Sequence, residues 1–358
     1  IMSKPKLLYE HATATIYSSI ALGLSPIYIR KEAGKSVLAV NPRWSIIAGA
    51  YFSFYIVLVI ILAGYSHMNF VTVVNNSYFV TLMLLTFTAK MGVNIFYPIL
   101  CKYVIKSSLL KVLNVLTETT ITLNWFGFKR HYWKDVLYQI FKVIIVPVTH
   151  IILYVIATIS LGTAFNRSIP LSVFEIYNYL TVSLLNSQFT LLLIVVKQHF
   201  SAINKYLENL GNFCVDKSHE RTVDTPKHHN VSEIKLMMFL YDKLCGSAST
   251  VTFMYSGIYL LSTTIIVGDL LVCVFYVEEM REGASVLFTV CACLSNAIKN
   301  FEMFYVSYVA EVTGNEAHAT KRLVHKAILK TRDNLLIKEV IFSVEYNKDF
   351  ALRVPMLL

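Results

Sequence analysis

Six long apolar runs constrain this chain more than any other feature. They cover residues 45–65, 78–100, 136–161, 171–196, 251–277 and 284–310. Each meets the roughly 20 residues that a helix needs to cross the hydrocarbon core of a bilayer. A water-soluble domain has no use for six such runs. In lipid the backbone must satisfy its own hydrogen bonds, so each run is expected to be helical. The fold class that follows is all-α: a polytopic membrane protein with six transmembrane helices. Composition agrees, with 56% hydrophobic and 13% aromatic residues.

The distribution of Lys and Arg orients the helices. Lys4, Lys6, Arg30, Lys31, Lys35 and Arg43 precede the first run. The first gap has no Lys or Arg, the third has only Arg167 and the fifth only Arg281. The second gap carries Lys102, Lys106, Lys111, Lys129, Arg130 and Lys134, and the fourth gap and the tail are equally basic. The positive-inside rule then places both termini of this chain in the cytoplasm. A net charge of +10 could suggest nucleic acid. Here the basic residues flank spans, where they fix orientation and meet anionic lipid, so membrane lipid and not nucleic acid is the expected partner.

Three regions follow from this pattern. Residues 1–44 form a cytoplasmic N-terminus whose moderately apolar segment 12–30 reads as a short helix ended by a break at Leu22-Gly23-Leu24-Ser25-Pro26. Residues 45–310 hold the six spans together with cytoplasmic helical extensions at 101–135 and 197–250. Residues 311–358 form a basic amphipathic cytoplasmic tail. Ile105, Leu109, Val112 and Leu113 give the first extension an apolar stripe at helical spacing. Residues 216–230 are rich in His, Lys, Thr and Asp without periodicity, and read as a loop. The apolar faces of the extensions need partners. Packing within the chain and packing between subunits both remain open.

Catalytic chemistry finds no foothold. There is no HExxH, GxSxG or Walker loop, so the chain is not expected to be an enzyme, and no catalytic residue or cofactor is assigned. His228-His229 falls in the solvated loop, so no metal site is expected. None of the six cysteines lies in an outer loop, and Cys291 and Cys293 have the wrong spacing for a CxxC site. Polar groups inside the spans carry more weight, because charge in lipid is costly. These are Lys90, His150, Glu175, Asp269, Lys299 and Glu302. Lys299 and Glu302 are expected to pair at i, i+3. Lys142 is expected to snorkel toward the cytoplasmic surface. The others are either ionic ties between helices or polar groups of a cavity. A ligand cavity in the outer half is expected to use Lys90, Tyr154, Phe174, Glu175, Tyr177, Thr264, Asp269 and Phe288, with Thr81, Thr86, Tyr179, Thr263 and Ser295 as further lining. Asn75 and Asn166 begin glycosylation sequons in the short outer loops.

Several tracts together resemble the insect gustatory receptor family. They are Leu22-Gly23-Leu24-Ser25-Pro26, then 196–207 (VKQHFSAINKYL) leaving span four, 240–245 (LYDKLC) entering span five, and the basic amphipathic stretch after span six. The resemblance implies a seven-helix subunit of a tetrameric, ligand-gated cation channel in the plasma membrane. It also implies a homo- or hetero-tetramer of related subunits, a tastant bound from the outer side, a long cytoplasmic anchor region, and a seventh helix lining the pore. The family's Thr-Tyr, five residues, Gln-Phe motif on that seventh helix does not occur here. A truncated sequence, a splice product and a non-conducting subunit each fit that departure. The expected function is a chemosensory receptor for tastants. The alternative is a secondary transporter of a small organic solute, which would use Lys90 or Glu175 as coupling groups.

Overall fold

The computed structural model describes residues 27–32, 35–40, 43–69, 77–100, 105–128, 132–160, 165–216, 227–279 and 286–331. Its first element is a hairpin. β1 (Ile27–Glu32) pairs antiparallel with β2 (Lys35–Val40), with Ile27 opposite Val40 and Glu32 opposite Lys35. Ile, Tyr, Val and Leu on either side of Ala33-Gly34 favour strands joined by a two-residue link. The short helix expected before the break at Leu22-Gly23-Leu24-Ser25-Pro26 lies outside the described residues, and the hairpin follows that break.

Apart from Arg43 and the turn at residues 126–128, everything else described is helical. The helices are α1 (Trp44–Asn69), α2 (Ser77–Leu100), α3 (Lys106–Trp125), α4 (Tyr132–Gln139), α5 (Val146–Ser160), α6 (Phe165–Asp216), α7 (Lys227–Glu279) and α8 (Val286–Thr331). A six-residue π-helical segment, Ile140–Ile145, joins α4 to α5. Each apolar run falls on these helices to within a residue or two at its ends. Val136–Ser160, Val173–Asn209 and Ser232–Val274 are long and apolar enough to cross a membrane. Of the loop expected at 216–230, both ends are helical and residues 217–226 lie outside the described residues. α6 reaches Asp216 and α7 starts at Lys227, so His228 and His229 lie in the first turn of α7. Asn75 lies outside the described residues, and Asn166 falls in the first turn of α6 instead of a loop.

Burial shows what surrounds the helices. Residues 181–193 of α6 are all buried, which makes α6 the central helix. The α4–α5 unit instead turns Phe141, Ile144, Ile145, Val148 and Ile152 outward, each roughly half exposed. A face of that kind is stable against lipid and not against water.

Helix length then forces the second region of the fold. α6 has 52 residues and α7 has 53, about 78–80 Å at 1.5 Å per residue. A hydrocarbon core takes up only about 30 Å of that. The surplus packs within the chain. Leu116 of α3, Phe200 and Ile203 of α6, and Met237 and Leu244 of α7 are fully buried in one continuous core. Thr120 hydrogen-bonds His199 at 2.8 Å, and Asn204 donates to Glu316 Oε2 at 2.9 Å. Tyr206 donates to Glu233 Oε2 at 2.5 Å. α3 ends at Trp125, and Gly127 just beyond it has a φ of 82°, a left-handed conformation that favours glycine. The Gly127 and Phe128 amides close the end on the Asn124 and Leu123 carbonyls, and both Phe126 and Phe128 set their ring edges against Tyr206. The extensions thus find partners in one another.

α2 and α7 meet closely at Gly268, where an added Cβ would collide with the Thr86 hydroxyl. Small residues at such crossings let membrane helices approach. Gly268→Ala should destabilise the protein by about 1–3 kcal/mol, the usual range for overpacking. Thr86→Ala added to it should restore most of the loss, as read from unfolding in mixed detergent micelles.

Candidate functional site

Four charged side chains from four helices converge inside the bundle. The Lys90 ammonium, from the middle of α2, lies 2.7 Å from both carboxylate oxygens of Glu175 on α6. It also lies 2.7 Å from Asp269 Oδ1 on α7. Asp269 Oδ2 in turn accepts from Lys299 of α8 at 2.7 Å. The order Glu175–Lys90–Asp269–Lys299 alternates in sign and sums to zero. Lys90 keeps 6% of its side-chain exposure and Glu175 keeps 20%, so Glu175 is the most open end of the chain of charges. Buried ions are tolerable only when paired and hydrogen-bonded, and here each charge has a partner of opposite sign.

An amide and aromatic layer supports this clasp. Asn94, one turn beyond Lys90, donates to the Lys90 carbonyl at 2.9 Å and to the side-chain oxygen of Asn178. Asn178 returns its own donor to the Phe174 carbonyl at 2.7 Å, and the Tyr55 hydroxyl reaches Asn178 Oδ1 at 3.5 Å. Phe174 is stacked between Tyr55 and Phe87, with centroids 5.7 and 5.1 Å away. Tyr177 packs on Tyr55 at 5.5 Å and against the edge of Phe54 at 6.4 Å. α1, α2 and α6 are held together by these rings. Further along α6, Gln188 accepts from Tyr255 at 2.9 Å and from Tyr97 at 3.5 Å.

A second ionic centre sits further along α6, where Tyr179 and Ser183 lie one and two turns beyond Glu175. Glu302 of α8 accepts from Lys142 at 3.1 Å and Ser183 at 3.0 Å through Oε1, and from Tyr179 at 3.4 Å through Oε2. The Lys142 ammonium lies 5.6 Å from the Tyr305 ring centroid. His150 stacks on Tyr179 with centroids 3.5 Å apart, and its Nδ1 is 3.0 Å from Ser295 Oγ. Two expectations are corrected here. Lys299 and Glu302 do not pair with each other; each pairs across helices, with Asp269 and Lys142 respectively. Lys142 does not snorkel. The π-helical segment turns it into the bundle, where Glu302 holds it.

Of the residues expected to line a cavity, Lys90, Glu175 and Asp269 come together, and Phe174 and Tyr177 form the adjoining aromatic layer. Thr86 meets Gly268 and bonds its own helix at the Leu82 carbonyl, 2.9 Å away. Thr263 and Thr264 likewise bond back to Tyr259 and Leu260 of α7. Tyr154 lies along α5 with its ring 6.4 Å from His150. Phe288 is half-buried in the first turn of α8. Tyr179 and Ser295 belong to the second ionic centre. The sequence reading missed Tyr55, Asn94, Asn178 and Gln188. The density of hydroxyl and amide side chains in 178–190 (NYLTVSLLNSQFT) was the available signal.

The clasp offers two carboxylates and two ammonium groups beside stacked rings. It can hydrogen-bond a polar ligand and respond to it by redistributing ion pairs. Among the described residues, no group of three His, Cys, Asp or Glu side chains could hold a metal ion. The sequence model of the 7tm chemosensory receptor family matches residues 13–341. No curated protein matches the chain.

Proposed function

The chain belongs to the 7tm chemosensory receptor family, and from that premise we propose that it is a gustatory receptor, acting as a subunit of a tastant-gated cation channel. It sits in the plasma membrane as a multi-pass protein with both termini of this chain in the cytoplasm. It works in a homo- or hetero-tetramer with related subunits. The tastant enters the outer half of the bundle and meets Glu175, Lys90 and Asp269. Phe174 and Tyr177 supply the aromatic wall, and Tyr154, Thr264 and Phe288 complete the lining. The observation that carries this reading is the alternating charge chain across α2, α6, α7 and α8. A polar ligand that donates a hydrogen bond to Glu175 changes what Lys90 and Asp269 contribute, and so changes the relative positions of four helices.

Gating in this reading is a population shift. The ligand can move the closed–open equilibrium only by the difference in its affinity for the two states. Cells expressing the protein should give ligand-evoked cation current to at least one member of a panel of sugars, amino acids and alkaloids. Glu175→Gln and Asp269→Asn, with surface expression matched, should each move the half-maximal concentration tenfold or more. Unchanged dose–response curves would remove the site from this region. Saturable uptake without conductance would replace the channel with a secondary transporter of a small organic solute.

A further inference from the structure

The segment Ile140–Ile145 departs from the α-helical period in a way the side chains record. Exposed residues come in pairs, 136 and 137, 140 and 141, 144 and 145, 148 and 149, at a strict spacing of four. An α-helix drifts by roughly 40° over each four residues and could not hold one face over that distance. The π-helical turns absorb the drift, and the Val146 amide accordingly donates to the Phe141 carbonyl five residues back. Pro147 narrows the gap between the two forms without deciding it: it has no N–H to donate to the Val143 carbonyl, so a kinked α-helix here already forgoes one hydrogen bond. The segment thus contains one residue more than an α-helix between the same end faces would use.

That extra residue decides what enters the core. In the observed register Gln139 and Lys142 are buried, at 1% and 4% exposure, and Lys142 is paired with Glu302. A regular α-helix continued back from Pro147, His150 and Ala157 would turn the preceding stretch by roughly 100°. Val143 and Val136 would then take the inward positions. Lys142 would leave Glu302, and Tyr138, which stacks on Tyr305 at 5.9 Å, would swing toward lipid. Gln139, eleven residues before His150, stays inward in both registers; what changes is that the ionic contact of Lys142 gives way to Val143 and Val136.

We propose that Ile140–Ile145 is a two-register switch, in which the Lys142–Glu302 ion pair holds the π-helical register and its loss lets α4 rotate into the α-helical one. π-helical turns are intrinsically poorer than α-helical ones and persist where something specific holds them. Here the holding contact is a buried ion pair between α8 and the segment itself. Any event that neutralises or occupies Glu302 therefore rotates α4, which joins the ionic centre to the extension formed by α3.

The test uses the full chain in lipid nanodiscs, depleted of native cysteines, with a nitroxide at Val136→Cys or Tyr138→Cys. Collision with molecular oxygen reports exposure to lipid. In the otherwise native protein the Val136 label should be the more accessible. Removing the ion pair from both sides, with Lys142→Met and Glu302→Gln together, leaves no stranded charge. It should lower accessibility at Val136 and raise it at Tyr138, each at least twofold. Deleting Ile144 in that background removes the spare residue and should return both labels to native values. No change in the paired variant overturns the switch. Equal increases at both positions also overturn it, since loosening raises both and rotation moves them in opposite directions. Should the paired variant not fold, Pro147→Ala takes its place with the same two outcomes.

Discussion

Lys90→Met should be the most damaging single substitution in the bundle. Lys90 is the only ammonium bonded to Glu175 among the described ion pairs, and it shares Asp269 with Lys299. Its removal leaves Glu175 as an uncompensated carboxylate and tips the group from neutral to net negative. Breaking a buried ion pair from one side typically costs about 3–5 kcal/mol. The arrangement predicts its own rescue. Glu175→Gln in the Lys90→Met background restores neutrality, because Asp269 still has Lys299, and should recover more than half of the loss. A double-mutant cycle on reversible unfolding in mixed detergent micelles measures the coupling, which should exceed about 1 kcal/mol for groups in direct contact. Additive effects would mean that Lys90 and Glu175 are not bonded in the folded protein.

The second large effect belongs to Glu302. Glu302→Gln leaves the Lys142 ammonium without its carboxylate in either register, inside the bundle or turned toward lipid, and takes one charge-assisted acceptor from Ser183 and Tyr179. The expected cost is again about 3–5 kcal/mol, the figure for a stranded buried charge. Lys142→Met added to it should recover most of that, since replacing a whole buried pair by neutral groups is often close to neutral. A Glu302→Gln protein as stable as the native one would place Lys142 outside the bundle, back at the snorkelling position that the sequence alone suggests.

The sequence showed the helices and the sites of expense, and it hid the pairings. The apolar runs are long and bounded by charge, so every one of them could be placed on a helix. Lys90, Glu175 and Asp269 stood out because a charge inside an apolar run has few innocent explanations. Their partners were not readable. Lys299 and Glu302 are three residues apart, and local spacing suggested that they pair. Partner choice depends instead on how α8 is rotated against α5 and α7, which only the assembled bundle determines. Lys142 was misplaced for a related reason. A regular helix through residues 136–160 turns it outward, and only the wider turns before Pro147 bring it in. Asn94, Asn178 and Gln188 escaped notice because a neutral amide hardly perturbs the hydropathy of a long run. The hairpin at residues 27–40 lies beyond the break at Pro26 and carries too short an apolar alternation to stand out. The choice between packing within the chain and packing between subunits was undetermined by amphipathic stripes alone. The shared core of Leu116, Phe200, Met237 and Leu244 answers it for the faces described.

The claim beneath all of this is that long helices cross the bilayer and carry their surplus length into the cytosol as a packed bundle. It can be tested with single cysteines at Lys235 and Arg322, both exposed on the projecting parts of α7 and α8. They would be treated with a membrane-impermeant maleimide on intact and on permeabilised cells. Both positions should label only after permeabilisation, while a cysteine at Ile152, on the lipid-facing side of α5, should label in neither condition. Labelling of Lys235→Cys or Arg322→Cys on intact cells would contradict the orientation, and labelling of Ile152→Cys from water would contradict the membrane-embedded bundle itself.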